Sequence, residues 1–252
     1  MHAIQYFTLN LLILLITSFH SIASDKSNSA KDTIQFKKER CVFTTGSIIA
    51  GGVIGLGLAL ELSKDRDHWW SSKYAFQNST YKEIHDYTTV VDDYTQFAPL
   101  GIALGMIALN KEGQNKRGEQ ITLLISSEIV GLGAMGLLKN KAKRKRPDGS
   151  KVNSFPSGHT TQAFIAARYL DKEFGKKYPW IKYTGYALAS FTGVSRVLNN
   201  RHWVSDILVG AGLGILSVDL TYWGFKQLKK KRIIVSPIMV RGGAGLNLSM
   251  IL

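Results

Sequence analysis

The chain has 252 residues, 45% hydrophobic and 20% charged, so it can bury a sizeable core and is not a disordered polymer. Its formal net charge of +14 favours anionic partners, but no RNP-like, zinc-finger or helix-turn-helix pattern accompanies the charge, and nucleic acid is not expected as a partner. Cys41 is the single cysteine, which excludes an intrachain disulfide and a cysteine-held metal cluster.

Residues 1–23 carry an apolar run at Leu11–Ile16 followed by the small residues Ser21 and Ala23, the pattern of an export signal. His2 is the only basic side chain ahead of that run, so an uncleaved N-terminal anchor is the alternative. Either directs the chain to the cell envelope. Residues 24–42 read as a polar linker. The stretch 43–62, apolar and rich in glycine, approaches the length of a membrane span. Residues 63–96 mix polar and aromatic side chains, and 97–109 is apolar but too short to span by itself.

Four helices are expected further on. Residues 121–140 form a strong helix candidate with Glu128 in its middle, 160–174 an amphipathic helix, and 181–198 and 204–225 two apolar ones. After the basic run Lys229–Arg232, IIVSPIMV, RGGAG and LNLSMIL read as a β-hairpin tail, so residues 229–252 stand apart from the helical domain at 43–228. A mean hydropathy near zero and the polar helix at 160–174 fit a soluble periplasmic globule; the near-spanning segments with close-packing glycines favour membrane integration. The expected fold is therefore all-α, a membrane-embedded helical bundle with a short C-terminal β-hairpin. If the N-terminal signal translocates and 97–109 does not cross, 43–62 runs inward, 121–138 returns outward, and the loop 139–160 faces the periplasm.

Three stretches carry chemistry. Lys139 precedes Arg146 by seven residues, about two helical turns, which puts both cations on one helix face, where a phosphoryl group is held well by an ammonium and a bidentate guanidinium. The run KNKAKRKR is so basic that a solvated charge run is the alternative. Pro156-Ser157-Gly158-His159 opens a helix. Ser157 is a natural N-cap, Gly158 lets a backbone N–H approach a ligand oxygen, and His159 stands at an anion-attracting helix start. In SRVLNNRHWVSD, Arg196 is a further cation, and His202 and Asp206 at i, i+4 share a helix face. A carboxylate there accepts the Nδ1 proton of the imidazole and leaves Nε2 free as a nucleophile; a surface pair of little consequence is the alternative. Glu128, eleven residues before Lys139, falls on the same helix face and is read as a structural partner for a buried polar group.

Read together as K-x6-R-P, P-S-G-H and S-R-x5-H-x3-D, residues 139–206 resemble the signature of the type 2 phosphatidic acid phosphatase (PAP2) superfamily, which also contains bacterial class A acid phosphatases and vanadium haloperoxidases. The resemblance implies a PAP2-type helical bundle over about residues 97–225. It also implies that His202 attacks phosphorus and forms a phospho-histidine, that Asp206 orients it, and that His159 protonates the leaving alkoxide and then activates water. Lys139, Arg146, Ser157, Gly158 and Arg196 hold the phosphoryl oxygens, and neither metal nor cofactor is required. The implied partners are the membrane and an anionic phospholipid or lipid phosphate: phosphatidic acid, phosphatidylglycerophosphate, undecaprenyl pyrophosphate or lipid A, with no obligate protein partner. The implied address is the inner membrane with a periplasmic active site, or the periplasm in association with the membrane. The rival readings are a vanadate-dependent haloperoxidase, a non-specific periplasmic acid phosphatase and a non-catalytic basic membrane-binding protein.

Overall fold

The computed structural model describes residues 45–62, 88–230, 233–240 and 243–250; the expected signal or anchor, the polar linker and the aromatic stretch before residue 88 lie outside them. In chain order the helices are α1 (Thr45–Leu62), α2 (Val91–Thr95), α3 (Ala98–Ala108), α4 (Arg117–Ala142), α5 (Gly158–Glu173), α6 (Pro179–Leu198) and α7 (Val204–Lys230). Two antiparallel strands follow, β1 (Ile233–Val240) and β2 (Gly243–Met250), with Ile233 opposite Met250 and Val240 opposite Gly243.

Three helices, α1, α4 and α7, are long and apolar enough to cross a membrane. The burial pattern is that of a protein dissolved in lipid. Ile48, Leu56 and Leu62 of α1, Ile129 and Leu137 of α4 and Leu220 of α7 point outward and exposed, whereas Thr160, Thr161, Glu173, Ser195 and Asp206 are buried. The chain is a membrane protein.

The polarity of α5, which favours a globule when the sequence is read alone, has a different origin. This helix occupies the middle of the bundle, packed on α7, α6, α4 and α3, and its polar groups meet partners from those neighbours. Gln162 donates to Glu128 of α4 (2.8 Å), Arg168 donates to Asp219 of α7 (2.8 Å), and Glu173 accepts from the backbone N–H of Asn115 (2.7 Å) and from the Tyr222 hydroxyl (2.7 Å). Glu128 is thus the structural partner expected of it. Close helix approach makes these contacts reachable. A Cβ at Gly210 of α7 would lie 2.9 Å from the carbonyl oxygen of Ser157, so any larger residue there would push α7 off the start of α5. Leu123, Ile165, Tyr169, Phe174, Ile181 and Val218 fill the half of the bundle remote from that start.

Successive helices alternate in direction, and this corrects the expected topology. Glu61, at the end of α1, forms an ion pair with Arg144, just past the end of α4 (2.6 Å), so α1 and α4 run parallel and finish at the same end of the bundle. The expectation that 43–62 and 121–138 run oppositely fails because residues 91–108 traverse the bundle from one end to the other. Arg196 holds Asp92 at one end, while Asn115, just past α3, binds Glu173 at the other. Gln96 and Phe97 between α2 and α3 keep right-handed helical torsions, so the 18 residues from Val91 to Ala108 (91 through 108) make a run of about 27 Å. The polar VDDYTQ segment hides this crossing from a hydropathy count. Its groups are satisfied internally, as where Thr95 Oγ1 lies 3.0 Å from Thr192 Oγ1 of α6.

Candidate active site

The starts of α5 and α7, the ends of α4 and α6 and the α2 turn meet at one end of the bundle. α4 stops at Ala142, and Lys143 takes a left-handed conformation (φ 43°) that turns the chain into a loop. Arg146 is therefore not on the Lys139 helix face, as the spacing predicts. It reaches the same place from the loop, with its Nε–H donating to Asn153 Oδ1 (3.0 Å) and its backbone N–H to the Lys151 carbonyl (2.9 Å). The loop is fastened to the α6–α7 connection: Arg201 pairs with Asp148 (2.9 Å), Trp203 Nε1 donates to the Lys145 carbonyl (3.0 Å), and the Arg144 guanidinium lies over the Trp203 ring (5.3 Å).

Ser157 caps α5 as its sequence position implies. Its Oγ accepts from the Thr160 backbone N–H (3.4 Å) and from the Thr160 hydroxyl (2.9 Å). Gly158 is the first helical residue, and a Cβ there would sit 3.6 Å from Lys139 Nζ, which places the ammonium against the helix start. Lys139, Arg146 and Arg196 lie within electrostatic reach of one another. Arg196 is 6% exposed, and among the described residues its Nε finds no hydrogen-bond partner. Three cations, one with an unsatisfied buried donor, beside the open N–H groups of a helix start make a cluster suited to an anion.

His202 and Asp206 meet, but not across one turn of helix. His202 precedes α7, and Asp206 occupies the third position of that helix, where its Oδ2 accepts the Trp203 backbone N–H (2.9 Å) in the manner of a capping box. His202 Nδ1 lies 3.6 Å from Asp206 Oδ2. The carboxylate, fully buried, is further fixed by the Ser154 hydroxyl and by Arg144, whose Nη1 donates to Oδ1 (2.7 Å). Burial is the main reason that the His202 imidazole is pulled down to a pKa of about 4, against the opposing pull of Asp206. The ring is then neutral at pH 7, the form in which imidazole nitrogen is nucleophilic.

His159 stands at the second position of α5 with its side chain 26% exposed, and its Nε2 lies 2.8 Å from Asp93 Oδ1. Burial and then the Arg196 charge push its pKa down, Asp93 pulls it back up, and His202 is close enough to act on it electrostatically, so the two imidazoles share one site. Arg144, Ser154, Asp92 and Asp93 belong to this cluster and escape a reading of the sequence. Arg144 is hidden in a run of basic residues, and Asp92-Asp93 precedes the signature by more than forty residues with no pattern of its own.

Fold and site together define a helical membrane protein with a cationic, histidine-bearing pocket at one end of its bundle. Residues 120–230 match the PAP2 superfamily. A lipid A 1-phosphatase of Porphyromonas gingivalis is 42% identical over 139 residues, covering 54% of this chain and 31% of that protein, so the chain spans about a third of that relative's length. A lipid A 1-phosphatase of Helicobacter pylori is 32% identical over 134 residues, covering 51% of this chain and 68% of that protein. The transmembrane PAP2-type phosphatidylglycerolphosphate phosphatase of Bacillus subtilis, a crystal structure, is similar with a TM-score of 0.49 at 20% identity, covering 71% of this chain and 96% of that one. The chain belongs to the PAP2 superfamily.

Proposed function

We propose that this protein is a phosphatase of membrane lipid phosphates that works through a phospho-histidine, with the 1-phosphate of lipid A as its preferred target. The observation that carries the reading is the meeting of Lys139, Arg146, Arg196, His159 and His202 around the start of α5. The lipid A choice rests on the names of the two relatives just given.

In this reading His202 Nε2 forms a bond to phosphorus as the P–O ester bond breaks, and His159 gives its proton to the departing oxygen. Asp206 stays ionised and holds the Nδ1 side of His202. His159, now neutral, then takes a proton from water; the resulting hydroxide oxygen bonds to phosphorus, the P–N bond breaks, and phosphate leaves. Lys139, Arg146, Arg196, the Ser157 hydroxyl and the N–H of Gly158 hold the non-bridging oxygens and offset the charge that builds on them. A crevice of about 580 Å³ between α1, α5, α6 and α7 offers a place for acyl chains; Val194, Ile207 and Leu208 wall it toward the site, and it reaches Arg168, Asp171 and Lys182 toward the opposite end.

The test is a phosphate-release panel on the full chain in detergent, comparing lipid A, phosphatidic acid, undecaprenyl pyrophosphate and water-soluble monoesters. Release from lipid A at least about tenfold faster than from the others is expected, a difference of about 1.4 kcal/mol in transition-state binding. Preference for the water-soluble monoesters contradicts the lipid assignment.

The proposed site faces the periplasm. Lys111, Lys116, Arg117, Lys176, Lys177 and Lys229 gather at the opposite end of the bundle and favour a cytoplasmic address for it, while the basic run 139–146 at the site end counts against that orientation. Because α1 starts at that end, the chain immediately ahead of Thr45 is expected on the cytoplasmic side. Cys41 reports on this directly. In spheroplasts it is expected to resist a membrane-impermeant maleimide until lysis, whereas a Ser150→Cys probe in a Cys41→Ser background is labelled at once. The reverse pattern puts the site in the cytoplasm.

A further inference from the structure

Two acidic residues outside the PAP2 signature reach the site, and they are built differently. Asp92 is fully buried; its Oδ2 accepts from Arg196 Nη1 (2.6 Å) and its Oδ1 from Asn199 Nδ2 (2.9 Å). Asn199 also clasps the backbone ahead of α2, donating to the Thr89 carbonyl (2.9 Å) and accepting from the Thr89 N–H (2.9 Å). The α2 turn is thereby pinned to the end of α6. Asp93 rides on that turn with its side chain 54% exposed, 2.8 Å from His159 Nε2 and 3.4 Å from Arg196 Nη1. Arg196 Nη1 is already held at the shorter distance by Asp92, so the close partner of Asp93 is His159.

The charges around His159 explain what such a partner does. The ring is faced by Asp93 from α2, Arg196 from α6, His202 from the α6–α7 connection and, beside Gly158, Lys139 from α4. Burial and the Arg196 charge oppose a proton on this ring; Asp93 alone among these groups favours it. An acid without its proton cannot assist a departing alkoxide. We infer that Asp93 is the partner of His159 in a second histidine–aspartate pair, a positioning residue that orients the ring through Nε2 and retains the proton the leaving group needs. The inference rests on the proposed role of His159. As the P–O bond breaks, the proton passes from His159 to the ester oxygen, the ring becomes neutral, and Asp93 remains a carboxylate.

The experiment compares wild type with Asp93→Asn, which leaves the buried Asp92 anchor in place. The His159 ring is titrated by NMR on histidine-labelled full chain in detergent, with the resonance assigned by His159→Gln. A fall of about one pKa unit in the variant is expected. Turnover of an alkyl phosphate (phosphatidic acid) at neutral pH is expected to drop about tenfold with its basic limb moved to lower pH, while an aryl phosphate, whose leaving group needs little protonation, loses much less. Asp93→Glu is expected to restore part of the alkyl rate. An unchanged His159 titration overturns the inference. So does a variant that only lowers KM with kcat and the pH profile intact, since Asp93 would then merely compete with phosphate for Arg196. If the titration shifts but wild type releases phosphate from no ester, the pair stands and the phosphatase reading fails.

Discussion

His202→Ala is expected to lower phosphate release about 10⁴-fold or more while the protein still inserts and melts cooperatively in detergent. The size of the loss follows from the role: without Nε2 there is no covalent intermediate, and the remaining cradle can only bind. Survival of the fold follows from how the loop is held. Trp203 N–H is tied to Asp206, the Trp203 ring lies under Arg144, and the backbone N–H of Arg201 donates to the Arg196 carbonyl (3.0 Å), all without the imidazole. His202→Gln preserves more of the buried volume and is the control for any loss of packing. Equal inactivity in a well-folded Gln variant supports the nucleophile; residual turnover within tenfold of wild type contradicts it.

Asp206→Ala is expected to combine a rate loss with a loss of stability. The fully buried carboxylate accepts from Ser154, from the Trp203 N–H and from Arg144, and removing it strands the first two donors and leaves the 13%-exposed Arg144 guanidinium with Glu61 as its remaining carboxylate. Breaking a buried charge pair from one side costs about 3–5 kcal/mol, and loss of the group that orients a catalytic imidazole costs about 10³–10⁴-fold in rate. A thermal melt in detergent and the release assay read the two effects separately. Asp206→Asn keeps the shape and one acceptor oxygen, so its melting point should fall between those of wild type and the alanine variant. An alanine variant as stable as wild type would show that Asp206 does not hold the α4–α5 loop to α7.

The helical body and the signature cluster were legible because both are written locally. Ser157-Gly158-His159 opens α5 through an ordinary N-cap, and α1, α4 and α7 announce themselves by their predominantly apolar length. Reach across the fold was not legible. The Lys139–Arg146 spacing was read as a helix face, yet the left-handed Lys143 ends the helix and Arg146 arrives from a loop. His202 and Asp206 were read as helical neighbours, but the histidine lies ahead of the helix and the aspartate caps it. The crossing of residues 91–108 was missed for a related reason. Polar residues in a membrane protein need only a partner, and the partners of Asp92 and Thr95 lie about a hundred positions away, on α6. Hydropathy cannot register a contact of that range.

The proposed cycle turns on a bond between an imidazole nitrogen of His202 and phosphorus. Rapid acid-free quenching of the full chain during turnover of a ³²P-labelled lipid phosphate, followed by peptide mapping, tests it most directly. The expected label survives alkali, is lost in acid, maps to His202 and vanishes in His202→Ala. Active turnover with the phosphorus of the product inverted in configuration and no label on any histidine would contradict it.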